Sequence, residues 1–194
     1  YMTSWAINNK VVSNAHRYVI RSLKLDIIKK HMDADPNVRI KYIAKYKESS
    51  NYWKYALGEN QCIDKLDVIN QRSNEEQKLL KWIKNDSLLT IKYKGLFAGT
   101  QNYINARSNV NEGFTYINEA LFRGAEILEF AYNLNKLVTK LKKSDKQKND
   151  SLKEVTNELI ENHFNDYDVQ TDKELISAMI KLYIAKVPED QYPT

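Results

Sequence analysis

Apolar residues recur along most of this chain at spacings of three and four, the mark of amphipathic helices. Val19, Ile20, Leu23, Ile27, Ile28 and Met32 form the first stripe. It stops at Asp33-Ala34-Asp35-Pro36, where Asp35 can cap a second helix and Pro36 can take its first position. Val38, Tyr42, Ile43 and Tyr46 give that helix an apolar side. The pattern then meets Ser49-Ser50-Asn51 and resumes with Trp53, Leu57, Ile63, Leu66 and Ile69. Short polar side chains compete for backbone hydrogen bonds and are poor in helix interiors. The run is therefore read as a bend, a satisfied polar cluster, or a set of polar groups presented to something else.

Three Ser/Thr-x-x-Glu patterns predict helix starts. They are Ser73 with Glu76, Ser151 with Glu154, and Thr171 with Glu174. The first precedes Leu79, Leu80, Trp82 and Ile83; the last precedes Leu175, Ile176, Met179, Leu182 and Tyr183. Leu88, Leu89, Ile91 and Tyr93 are compatible with a strand, although their flanks favour helix. Gly95 and Gly99, four apart, would let another helix approach closely. From Val110 through Phe114, Ile117, Leu121, Leu128, Tyr132, Leu134 and Val138 to Leu141 the spacing predicts the longest helix, roughly 45 Å at 1.5 Å per residue. The predicted fold is all-α: one domain over residues 1–194, an irregular bundle of six or seven helices, several of them long.

Composition narrows this further. Only 5 Gly and 3 Pro among 194 residues leave too few turn formers for a β-sandwich or barrel. A formal charge of +5 is too mild to call for nucleic acid, and the lysines between Lys136 and Lys148 read as a solvated helix end. No apolar run reaches membrane-spanning length. Cys62, the lone cysteine, permits no intrachain disulfide and reads as a buried thiol. His16, His31 and His163 read as scattered surface positions without metal-ligand spacing. There is no phosphate-binding loop and no nucleophile elbow, so no metal, cofactor or catalytic residue is expected. Glu75-Glu76 and Glu126 with Glu129 read as solvated faces. On these grounds the chain is a helical binding or structural module, and an independent protein-interaction module is one form that could take.

Certain strings add to this. Tyr1-Met2-Thr3-Ser4, Met32-Asp33-Ala34-Asp35, Val38-Arg39-Ile40-Lys41-Tyr42, Ser50-Asn51-Tyr52-Trp53-Lys54 with Leu57-Gly58, and Arg123-Gly124-Ala125-Glu126 resemble the bacterial dipeptidyl-peptidase 7/11 family of serine exopeptidases. The resemblance is densest through about residue 70; Glu48 and Gln61-Cys62 depart from it. It implies a chymotrypsin-like double β-barrel with a helical domain inserted between its halves and lying over the active-site cleft. This chain would be that helical domain, whole or lacking its last helices, excised from a larger α+β enzyme, with the Ser, His and Asp of the triad outside it and no peptidase activity alone. The resemblance gives Asn51 a role in binding the free α-amino group of the peptide substrate; Tyr52 and Trp53 sit beside it and at helical spacing cannot all face the cleft, so Tyr52 is read as a candidate to line it and Trp53 as core. It implies two partners, a peptide with a free N-terminus and the catalytic double-barrel domain of the same chain, and a periplasmic or cell-surface location. A domain cut from its barrels would also expose apolar surface and is expected to dimerise.

Overall fold

The computed structural model describes residues 2–143 and 146–192, with side chains at 109, 111 and 146–149 left aside. Tyr1 and the side chain of Lys148, named above, lie outside the described residues. The described residues form eight α-helices, a π-helical segment and a 3-10 turn, with no strand. The helices are α1 (Ser4–Ala34), α2 (Pro36–Lys65), α3 (Val68–Lys84), α4 (Ser87–Lys92), α5 (Leu96–Tyr116), α6 (Glu126–Lys143), α7 (Lys146–Asn165) and α8 (Val169–Lys186). The π-helical segment, Ile117–Phe122, follows α5 directly. The all-α expectation holds, with one more helix than the pattern suggested.

The first two helices are the longest, at 31 and 30 residues. They form an antiparallel pair around the break read from sequence. The Asp35 carboxylate accepts the Asn37 N–H at 2.8 Å, and Pro36 opens α2. The Ser-Ser-Asn run does not interrupt α2, which is continuous to Lys65. The helix ends instead beside Asp67, whose φ of 50° puts it in the left-handed region, so Leu66 and Ile69 lie on either side of a turn.

The core lies where α1, α2, α8 and the π-helical segment meet. Ile20, Ile27, Ile28 and Met32 from α1 pack with Val38 and Tyr42, with Tyr116 and Ala120, and with Leu175, Met179 and Tyr183. Val19, assigned to the same stripe from sequence, is exposed.

The segment read as the longest helix is broken. After Tyr116 the backbone widens by one residue per turn, with Arg123 N–H bonding to the Asn118 carbonyl, five residues back. The chain then turns at Arg123-Gly124 before α6 begins. A β-carbon on Gly124 would sit 1.7 Å from the Ala120 carbonyl oxygen, so only glycine fits here. Gly95 has a different role: its φ of 78° makes the left-handed turn between α4 and α5. Neither Gly95 nor Gly99 has another helix against it, since a β-carbon on either would meet nothing within 4 Å.

The three capping boxes are displaced. Ser73 lies inside α3, Ser151 inside α7 and Thr171 inside α8. Asp168 caps α8, accepting the Thr171 N–H at 2.8 Å and its hydroxyl at 2.7 Å. Glu76 is buried and serves a distant helix end. It accepts the Ser4 N–H at 2.8 Å and the Ser4 hydroxyl at 2.7 Å. Its charge therefore sits at the positive pole of α1. Cys62 is exposed rather than buried. The histidines are half-buried and engaged: His16 meets the Tyr116 hydroxyl at 3.1 Å, His31 meets Glu174 at 2.9 Å, and His163 stacks on Phe130 with centroids 4.1 Å apart.

Candidate functional site

Asn51 and Tyr52 sit on an exposed turn of α2 and line one cleft. The cleft has a volume of about 490 Å³, within the range of small-ligand sites. Its walls come from α1, with Lys10, Asn14, Arg17 and Arg21, from α2, and from the π-helical turn, with Glu119 and Arg123. The Asn51 side chain makes no hydrogen bond among the described residues, and it points from a helix that needs no help from it. A helix-interior asparagine with no internal partner costs stability without local return. Tyr52 is 53% exposed and keeps its ring in the cleft. Trp53 turns the other way: its indole N–H donates to the Ser22 hydroxyl at 2.8 Å and its ring stacks on Tyr18. The Ser22 hydroxyl in turn donates to the Tyr18 carbonyl.

The cleft is organised by Glu119, which sequence reasoning did not single out. Its carboxylate is buried at 9% exposure. Arg21 holds it in a fork, Nε to Oε2 and Nη2 to Oε1, each at 2.9 Å. Arg17 and Arg123 stand farther off, each 3.6 Å from Oε1. A single buried carboxylate among three guanidiniums leaves this wall net cationic. The third nitrogen of Arg21, Nη1, donates to the Tyr52 carbonyl at 2.7 Å, and the guanidinium lies 5.5 Å from the Tyr52 ring centroid. One residue thus touches both walls.

At the far end of the same cleft, Glu59 takes hydrogen bonds from the Lys10 ammonium and from Asn14 at 2.7 Å. Burial pushes the Glu59 carboxyl up, but these donors outweigh it and its pKa falls below the usual carboxylate value. It is an ionised acceptor at neutral pH.

A second lobe continues past Arg21, Tyr52, Glu119 and Arg123 toward Lys24, Lys45, Ser49 and Glu126. Lys24 donates to the Arg123 carbonyl. Burial lowers its pKa, against the pull of Glu126 and Glu129. Lys45 bonds Glu126 at 2.6 Å and the Asp166 carbonyl at 2.7 Å. Glu126 is therefore paired and half-buried, not a solvated face.

The Arg123-Gly124-Ala125-Glu126 string acquires a physical reason here. Arg123 reaches Glu119; Gly124 fits against the Ala120 carbonyl; Ala125 is buried; Glu126 opens α6. The free N–H groups of Glu126 and Ile127 are taken by Asp172 from α8, at 2.7 and 3.0 Å, and Asp172 also accepts the Tyr167 hydroxyl at 3.0 Å. Among the described residues no group of His, Cys, Asp and Glu is arranged to hold a metal ion, and no helix is long and apolar enough to cross a membrane.

The peptidase S46 family profile matches residues 1–194. The chain is 29% identical to dipeptidyl-peptidase 7 of Porphyromonas gingivalis and 32% identical to dipeptidyl-peptidase 7 of Porphyromonas endodontalis. It is 26% identical to the Asp/Glu-specific dipeptidyl-peptidase of Flavobacterium psychrophilum. Each match covers 100% of this chain but only 26%, 23% and 27% of the relative. The chain spans about a quarter of the length of these relatives. It belongs to the peptidase S46 family.

Proposed function

We propose that this peptidase S46 chain is the helical domain that covers the active-site cleft of a serine dipeptidyl-peptidase, and that Asn51 binds the N-terminal amine of the peptide. The observation that carries the reading is the Asn51 amide on the wall of a ligand-sized cleft, with no hydrogen-bond partner among the described residues. An amide oxygen accepts from an ammonium without adding a second charge to desolvate. Glu59, ionised and in the same cleft, adds a second acceptor. The spare donors of Arg17 and Arg123 suit the carbonyl oxygens of the peptide rather than its amine. Tyr52 supplies an apolar face between these groups.

An acceptor for the amine placed two residues, about 7 Å of extended chain, from a nucleophile makes an enzyme that releases dipeptides. In this reading the nucleophile and its base belong to the double-barrel domain of the same polypeptide, the isolated helical domain has no peptidase activity, and the parent is exported to the periplasm or cell surface. The names of the relatives support the dipeptidyl activity.

The test is Asn51→Ala in the full-length parent. Loss of one hydrogen bond to a charged group, about 1.5–3 kcal/mol, lowers kcat/KM by roughly ten- to a hundredfold. A lowered melting temperature with unchanged kinetics would instead make Asn51 a structural residue.

A further inference from the structure

We infer that Arg21 is a positioning residue for the amine site: it sets the width of the cleft and fixes the turn of α2 that carries Asn51 and Tyr52. The inference rests on the reading of Asn51 given above. All three guanidinium nitrogens of Arg21 are taken by acceptors of the protein itself. Arg21 acts through its neighbours. Nε and Nη2 grip Glu119 on the π-helical wall at 2.9 Å, and Nη1 grips the Tyr52 carbonyl on α2 at 2.7 Å. The two walls are thus held one guanidinium apart.

Several features make this a built arrangement rather than a chance ion pair. The guanidinium is almost wholly covered, at 11% exposure, and uses all three of its nitrogens. Its planar fork is rigid, so three bonds fix three directions at once. The Tyr52 carbonyl lies one residue from Asn51, so the contact acts at the turn that presents the amide. Glu119 reaches the fork from a π-helical segment, whose extra residue per turn alters the direction of its side chains relative to α5. Neutralising Glu119 does not by itself require Arg21, because Arg17 and Arg123 both stand 3.6 Å from the same oxygen. What only Arg21 supplies is the bridge.

Lysine keeps the charge but cannot hold both walls with one nitrogen. In the full-length parent, Arg21→Lys is expected to lower kcat/KM on peptides with a free amine about five- to tenfold, mainly through KM, with Arg17 and Arg123 keeping Glu119 neutralised and the protein folded. Melting of each variant is measured alongside. In an Asn51→Ala background the same substitution should cost less than about twofold, because the group it positions is gone. Glu119→Gln, which weakens the fork and leaves the Tyr52 contact, should show the same dependence on Asn51 at smaller size.

Equal fold-losses in both backgrounds would overturn the inference, since Arg21 would then act independently of Asn51. Lowered melting with unchanged kinetics would overturn it too, making Arg21 a brace only. If Arg21→Lys fails to fold, Glu119→Gln decides by the same criterion. An Asn51→Ala enzyme with wild-type kinetics would defeat the amine reading itself, and this inference with it; that result is read from the single variant before Arg21 is touched.

Discussion

The cleft wall and the arm formed by α3, α4 and the start of α5 are built from helices of similar pattern and are held in different ways. At the cleft, buried polar groups cross-link elements far apart in sequence: Arg21 to Glu119, Asp172 to the start of α6, Lys24 to the Arg123 carbonyl. On the arm, large apolar residues face outward, with Leu88 at 75% and Ile91 at 73% exposure and Leu96 and Tyr103 also exposed. The arm is tied back at Glu76 to Ser4 and by the edge-on contact of Trp5 with Phe97. Apolar spacing alone does not separate the two regions. What separates them is how many polar contacts tie together elements distant in sequence: several around the cleft, and on the arm the Glu76 carboxylate on Ser4.

The largest effect that would break this contrast is at Gly124. Gly124→Ala places a β-carbon against the Ala120 carbonyl and must shift the turn between the π-helical segment and α6. A loss of about 3 kcal/mol or more is expected in denaturant unfolding; a loss below about 1 kcal/mol would show that the turn adapts freely. Glu76→Ala comes next. It strands the buried Ser4 N–H and hydroxyl and should cost about 1–3 kcal/mol. Wild-type stability of that variant would mean the arm is not anchored there.

A smaller effect concerns pH. Burial against Phe130 lowers the pKa of His163, with Lys45 adding to this and Glu126 and Asp172 opposing it. A histidine whose folded pKa lies below its unfolded value of about 6.5 stabilises the fold above that pH and ceases to do so as pH falls through the folded value. Melting temperature should therefore drop between pH 8 and pH 5 more in the wild type than in His163→Phe. Equal drops would remove His163 from the acid response. The smallest effect is on the arm: Leu88→Ser should change stability by less than about 0.5 kcal/mol, because nothing is uncovered.

The parts of this molecule legible in its sequence are those set by neighbouring residues. Asp35-Pro36 marked the α1–α2 corner, and the stripes of α1, α2 and α8 marked most of the core. What could not be read depends on partners far along the chain. Glu76, Glu119 and Asp172 are ordinary helical carboxylates in the sequence; their burial comes from residues 72, 98 and 46 positions away. The π-helical widening hides inside a continuous apolar pattern, because one extra residue shifts the phase without ending it. Its one sequence trace was Arg123-Gly124-Ala125-Glu126. Asn51 stood out in the sequence for the converse reason, as a polar residue out of place in a helix, and its side chain makes no hydrogen bond among the described residues.

Recognition of the substrate amine by Asn51 is tested by removing that amine as well as its acceptor. In the full-length parent, kcat/KM is measured for a dipeptidyl substrate with a free α-amine and for the same substrate with the amine replaced by hydrogen, in wild type and in Asn51→Ala. If Asn51 receives the ammonium, the wild type prefers the amine-bearing substrate, and the substitution shrinks that preference by about tenfold or more while leaving the slow substrate unaffected. If the preference is the same in both proteins, Asn51 does not bind the amine.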